Sequence, residues 1–169
     1  ASVTQSAMGN IFDELQTAHS DLSTKTTENR SIDRKIAYAN AKEANAAAIT
    51  ATTSGANVTT VKNKIDGLLG TSATYASVAD DGTVREYESR TANDDGTYDY
   101  TYTDSNGNTV TETGLGDLTV STQLEDLAKD ANLIVTNTAA DGTETTDSSA
   151  WSTYRSNFNT IKAYRSEER

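Results

Sequence analysis

The chain contains no cysteine and no proline, and only one histidine, one tryptophan and two phenylalanines, in 169 residues. The missing cysteines exclude disulfide staples, thiolate metal sites and cysteine nucleophiles. A single histidine removes most imidazole-based catalysis and zinc chemistry. Apolar residues make up 34% of the chain, well under the roughly 45–50% (glycine included) of ordinary globular domains, and many of them are alanine. One large self-sufficient core is therefore not expected, whereas an elongated or assembled structure is. No stretch approaches the ~20 apolar residues of a membrane-spanning helix. No basic start runs into an apolar segment, so no signal peptide is expected in the sequence as written.

Basic residues are scarce where acidic ones are dense. The net charge is −11, which argues against nucleic acid as a partner because phosphate binding needs clustered Lys and Arg. Residues 71–150 carry 16 acidic residues against Arg85, Arg90 and Lys129, a net of −13, while the flanks together carry +2. Composition changes at the same borders, from Ala, Lys and Asn outside to Thr, Asp, Gly and Tyr inside. Three units are expected on this basis: a helical assembly segment over 1–70, an acidic β-rich surface insertion over 71–147, and a C-terminal helix over 148–169.

Steps of three and four from Met8 pass through Ile11, Leu15, Ala18, Leu22, Lys25, Asn29, Ile32, Ile36, Ala39, Glu43 and Ala46; nine of the twelve positions are apolar. That spacing predicts a long helix with a coiled-coil seam, interrupted by polar residues of the kind that fix register or meet solvent. A shorter helix is predicted from an Asn57 cap through Val58, Val61, Ile65, Leu68 and Leu69 to Gly70. Another follows Thr119 or Ser121. Trp151, Tyr154, Phe158 and Ile161 repeat the three-four spacing after a cap at Asp147 or Ser148. This last helix, with Arg165 and Arg169 suited to its C-terminal end, is expected to lie against the long one. The fold class is thus α+β: a long N-terminal helix paired with a C-terminal helix, and a β-hairpin or meander insertion between them.

The insertion reads as a three-stranded meander over 83–113. Its strands are 83–90, 97–103 and 108–113, joined by Asn93-Asp94-Asp95-Gly96 and Asp104-Ser105-Asn106-Gly107. Such dipeptides suggest type I′ turns. Asp-Gly-Thr recurs at 81–83, 95–97 and 141–143, and the third copy suggests a further hairpin over 133–146.

Candidate sites follow. Carboxylates at Asp80, Asp81, Asp94, Asp95 and Asp104 could meet a calcium ion, but segment 104–115 departs from the EF-hand spacing, with Thr109 sixth and Leu115 twelfth; turn chemistry explains these residues. Tyr98, Tyr100 and Tyr102 form one stripe, read first as a packing face and second as a surface for carbohydrate. His19 reads as a helix residue without a partner. No nucleophile elbow, Ser-x-x-Lys set or phosphate-binding glycine loop is present, so no enzyme, cofactor or metal site is expected.

The arrangement resembles flagellin-like and secretion-filament subunits, in which terminal helices pack into the polymer and an inserted segment faces outward; the likeness is one of architecture and composition. It implies a non-enzymatic, self-associating structural subunit of an extracellular, secreted filament. A phage tail, neck or capsid-associated virion protein fits the same features. The expected assembly interface is Ile11, Leu15, Leu22, Ile32, Ile36, Trp151, Tyr154, Phe158 and Ile161. The alternative is an adhesion or glycan-binding module using Tyr98, Tyr100 and Tyr102.

Overall fold

With no proline to interrupt it, the N-terminal periodicity forms one continuous helix, α1 (Gln5–Ala48), about 66 Å long at 1.5 Å per residue. Its Thr-rich stretch stays helical because the hydroxyls of Thr17, Thr24, Thr26 and Thr27 donate to the carbonyls of Asp13, Ser20, Leu22 and Ser23, one turn back. The structure, a computed structural model, describes residues 5–167; Arg169, expected to serve the last helix end, lies outside them. It is α+β, with four helices and three small antiparallel sheets among the described residues.

After α1 the chain turns through Thr53 and Ser54, whose backbone and hydroxyl groups donate to Asp130. Helix α2 (Val58–Leu69) begins at Asn57, whose side chain accepts from the amides of Thr59 and Thr60, and ends at Gly70, both as the sequence predicts. Its Val61, Ile65 and Leu68 are buried at helical spacing. Helix α3 (Val120–Asp130) follows Thr119, whose side chain caps no helix amide; instead the Thr119 amide and hydroxyl donate to Asp117, which fixes the turn into the helix. Asn132, at φ 61°, turns the chain out of α3 in the left-handed conformation that Asn tolerates. Helix α4 (Ser149–Glu167) starts after Asp147 accepts from the Ser149 amide and hydroxyl.

The β-rich part differs from a simple meander. Strand β1 (Tyr75–Val78), which sequence reading missed, pairs with β2 (Val84–Tyr87) in a hairpin of its own. Strands β3 (Ser89–Ala92), β4 (Tyr98–Thr103) and β5 (Thr109–Leu115) form the three-stranded sheet. The predicted strand over 83–90 is therefore split at Glu88, whose amide donates to Thr101 O and starts the second sheet. Strands β6 (Val135–Thr138) and β7 (Glu144–Asp147) make the expected third hairpin. At Ala79–Thr83, Asn93–Thr97, Asp104–Asn108 and Ala139–Thr143 the same bonds recur: the first amide donates to the fifth carbonyl, and the glycine amide to the first carbonyl. Gly82, Gly96, Gly107 and Gly142 have positive φ, whereas the residue before each does not. These are type I turns with a glycine bulge, not the expected type I′ turns.

One core joins Ile49, Val61, Ile65, Ala128, Ala131, Leu133, Ile134, Trp151 and Tyr154. Segment 71–147 is accordingly not all surface, since α3 and the turn after it complete the helical core. A second cluster of Leu68, Ala76 and Val120 seats the first hairpin on α2 and α3. There Gly67 and Gly82 allow backbone to approach backbone: a Cβ on Gly67 would stand 2.3 Å from Gly82 O.

Candidate interaction surface

Helix α4 runs antiparallel along the C-terminal part of α1. Arg34 meets Glu167 at 3.4 Å, Tyr38 stacks on Tyr164 at 4.4 Å between ring centroids, and Asn45 meets Tyr154 and Asn157. Asn45 is buried, yet satisfied: its Nδ2 donates to Tyr154 O at 3.1 Å and its Oδ1 accepts from Asn157 Nδ2 at 3.2 Å. The Tyr154 hydroxyl donates to Asp66 and accepts from Lys62 at 2.9 Å. Burial, followed by the Asp66 carboxylate, pushes the Tyr154 phenol well above its ordinary value.

The pairing of α1 with α4 matches expectation; the face of α1 used does not. Ile32 and Ala41 are nine positions apart, as are Ile36 and Asn45, and at about 100° per residue each pair lies on opposite sides of the helix. Ala41 and Asn45 are buried, while Ile32 and Ile36 are exposed. The seam of Ile11, Leu15, Leu22, Ile32 and Ile36 thus faces away from α4. The side of α1 that faces α4 carries Arg34, Tyr38, Ala41 and Asn45, while Trp151, Tyr154 and Ile161 are the buried side chains of α4. Those three side chains are buried within the subunit, and Phe158 is half-buried beside Lys42 and Asn45.

The opposite face of α1 is bare. Met8, Ile11, Phe12, Leu15, Leu22, Ile32 and Ile36 are between 52% and 65% exposed. Every residue from Met8 to Arg30, His19 included, is exposed.

The tyrosine stripe is a packing face. Tyr100 is fully buried, its hydroxyl donating to Gly116 O at 2.7 Å and accepting from the Leu118 amide at 2.8 Å. Tyr75, Tyr87 and Tyr98 pack around its ring. Half-buried Tyr98 is covered by the Arg90 guanidinium, and Tyr102 by that of Arg85. Sequence reading missed Tyr75, Tyr87 and both arginines as members of this cluster. Glu112 accepts from the Tyr87 hydroxyl and Arg85, both at 2.7 Å, and these bonds hold its carboxyl below the ordinary range.

Asp81, Asp95, Asp104 and Asp141 serve the turns themselves, while Asp80 pairs with Lys64 at 3.3 Å. Asp81, Asp95 and Asp141 accept from the amides of Thr83, Thr97 and Thr143, and these threonines hold each carboxyl low. Asp104 accepts from Asn106 and Asn108. Among the described residues no three His, Cys, Asp or Glu side chains gather as a metal site would require, and no helix is long and apolar enough to cross a membrane. Compared with known proteins, the chain matches no family model, no curated protein and no solved structure.

Proposed function

We propose that the chain is a non-enzymatic structural subunit of an extracellular filament or a virion, associating with itself through the bare face of α1 while the acidic β-rich part faces solvent. The observation that carries this reading is the row of large apolar side chains, more than half exposed, along a helix that no other element among the described residues clads from Met8 to Arg30. Burying one such side chain is worth about 1.5–3 kcal/mol. A helix solvated on all sides is marginal in water, so a packed neighbour would supply what the subunit lacks. The acidic middle would keep assembled surfaces soluble and mutually repelling.

Light scattering over a concentration series, with negative-stain microscopy, tests the proposal. The expected result is a particle heavier than the 18.0 kDa subunit. The double substitution Leu15→Glu, Leu22→Glu should return it to subunit mass, with the near-ultraviolet dichroism of Trp151 and Tyr154 unchanged. Subunit mass at every concentration for the native chain would refute it.

A further inference from the structure

We infer that the occupant of the bare α1 face is the same face of a second copy lying antiparallel, with the two-fold axis beside residue 27; this rests on the self-association proposed above. The seam obeys a strict heptad. Met8, Leu15, Leu22, Asn29, Ile36 and Glu43 occupy a, and Ile11, Ala18, Lys25, Ile32, Ala39 and Ala46 occupy d. In an antiparallel pair each a residue meets a d residue of the other helix. Around residue 27, Leu22 meets Ile32, Ala18 meets Ile36, Leu15 meets Ala39, and Lys25 meets Asn29, each across the interface and each twice.

This register places two of the three polar interruptions, Lys25 and Asn29, on one another, where the Lys25 ammonium can donate to the Asn29 amide oxygen, and sets the third, Glu43, opposite Ile11 near the ends of the overlap. It also sets Ala18 opposite Ile36 and Ala39 opposite Leu15. Sliding by one heptad puts Lys25 against Leu22 or Ile36. A parallel pair in register instead stacks Lys25 on Lys25, and brings Glu28 at g toward Asp33 at e.

Flanking charges select the same orientation. The g positions are Glu14, Asp21 and Glu28 toward the N-terminus, and Lys35 and Lys42 toward the C-terminus. Antiparallel helices bring g beside g, so Asp21 approaches Lys35 and Glu14 approaches Lys42, each twice, against a single meeting of Glu28 with its own copy at the axis; on the other side His19 approaches Asp33. Between residues 8 and 46 the interface positions supply about 20 residues per copy, as in a standard stable interface. Helix α4 lies on the other side of α1 and leaves this face open. The two acidic bodies would then stand at opposite ends of an overlap about 58 Å long, far beyond the Debye length of about 8 Å at physiological salt; a parallel pair would hold them side by side.

The native chain has no cysteine, so single cysteines report proximity without background. Leu22→Cys and Ile32→Cys chains are oxidised separately and as a mixture, and their masses are measured before oxidation. The expected result is a disulfide-linked heterodimer from the mixture and little linkage from either variant alone. Efficient linkage of each variant with itself would overturn the antiparallel register in favour of a parallel one. Self-association without linkage in any sample would overturn the register and leave the proposed function standing. Subunit mass for both the variants and the native chain would overturn both.

Discussion

The two halves of α1 share one helix and one apolar periodicity, but differ in what surrounds them. From Arg34 onward, α4 covers one side through the Arg34–Glu167 pair, the Tyr38–Tyr164 stack and buried Asn45. From Met8 to Arg30 every side chain is exposed. The contrast teaches that the helix carries two distinct faces. A narrow face of Tyr38, Ala41 and Asn45 closes the subunit, and a broad apolar face stays exposed. Beyond Ser31 toward the N-terminus, the α4 side of α1 continues as Thr27, Ser23, Ser20 and Gln16, residues that give a docked helix little to bury.

The largest expected effect lies in the clad half. Tyr154→Ala should destabilise the subunit by about 3–5 kcal/mol, the range for losing a buried aromatic ring, as measured by urea unfolding of dilute protein. Next is Gly67→Ala in α2. Alanine favours a helix by about 1 kcal/mol, but its Cβ would stand 2.3 Å from the Gly82 carbonyl oxygen. Moving that backbone should cost more, a net loss of about 1–3 kcal/mol, seen as a lower melting temperature. The smallest effect is expected on the bare half, where Leu15→Ala in dilute, unassociated protein should change stability by less than about 0.5 kcal/mol. A loss as large as that of Tyr154→Ala would show that the seam is packed within the subunit and erase the distinction between the halves.

Acid should divide the molecule differently. For Asp130, burial raises the carboxyl, and the hydrogen bonds from Ser54 and Thr53 more than offset it, leaving it lowered. Thr119 and then Arg90 lower Asp117, and Ser149 lowers Asp147. A carboxylate lowered in the folded state stabilises it fully above the unfolded value, and that contribution disappears as pH falls through the folded one. Acid titration followed by dichroism should show stability decreasing below pH about 4. Asp130→Asn should be less stable at neutral pH and less sensitive to acid; an unchanged acid profile would mean that this carboxylate has no part in the loss.

Much of the fold was legible because local rules and tertiary packing agree. Asn57 and Gly70 bound α2, and the Asp-Gly and Asn-Gly units mark hairpins, since short-range chemistry decides both. The errors arise where tertiary packing decides. Strand β1 has four residues and no turn signal before it, and it is held by β2 and by hydrogen bonds to residues 118–120. The break at Glu88 lies inside an alternating run and depends on Tyr87 and Tyr100 packing across two sheets. The largest apolar residues of α1 suggest its docking face, whereas α4 meets Arg34, Tyr38 and Asn45 through an ion pair, a ring stack and amide hydrogen bonds that no apolar periodicity marks. Tyr98, Tyr100 and Tyr102 were visible as one stripe; the arginines that cap it come from other strands and have no sequence signature.

Asn45 also governs how α1 and α4 can be aligned. Its amide finds both partners, Tyr154 O and the Asn157 side chain, in a single setting of the two helices. A slip of one turn would strand that amide among apolar neighbours, at about 1–3 kcal/mol for each unmatched group. The residue therefore acts as a key in a lock, rejecting misregistered pairings that shape alone would tolerate.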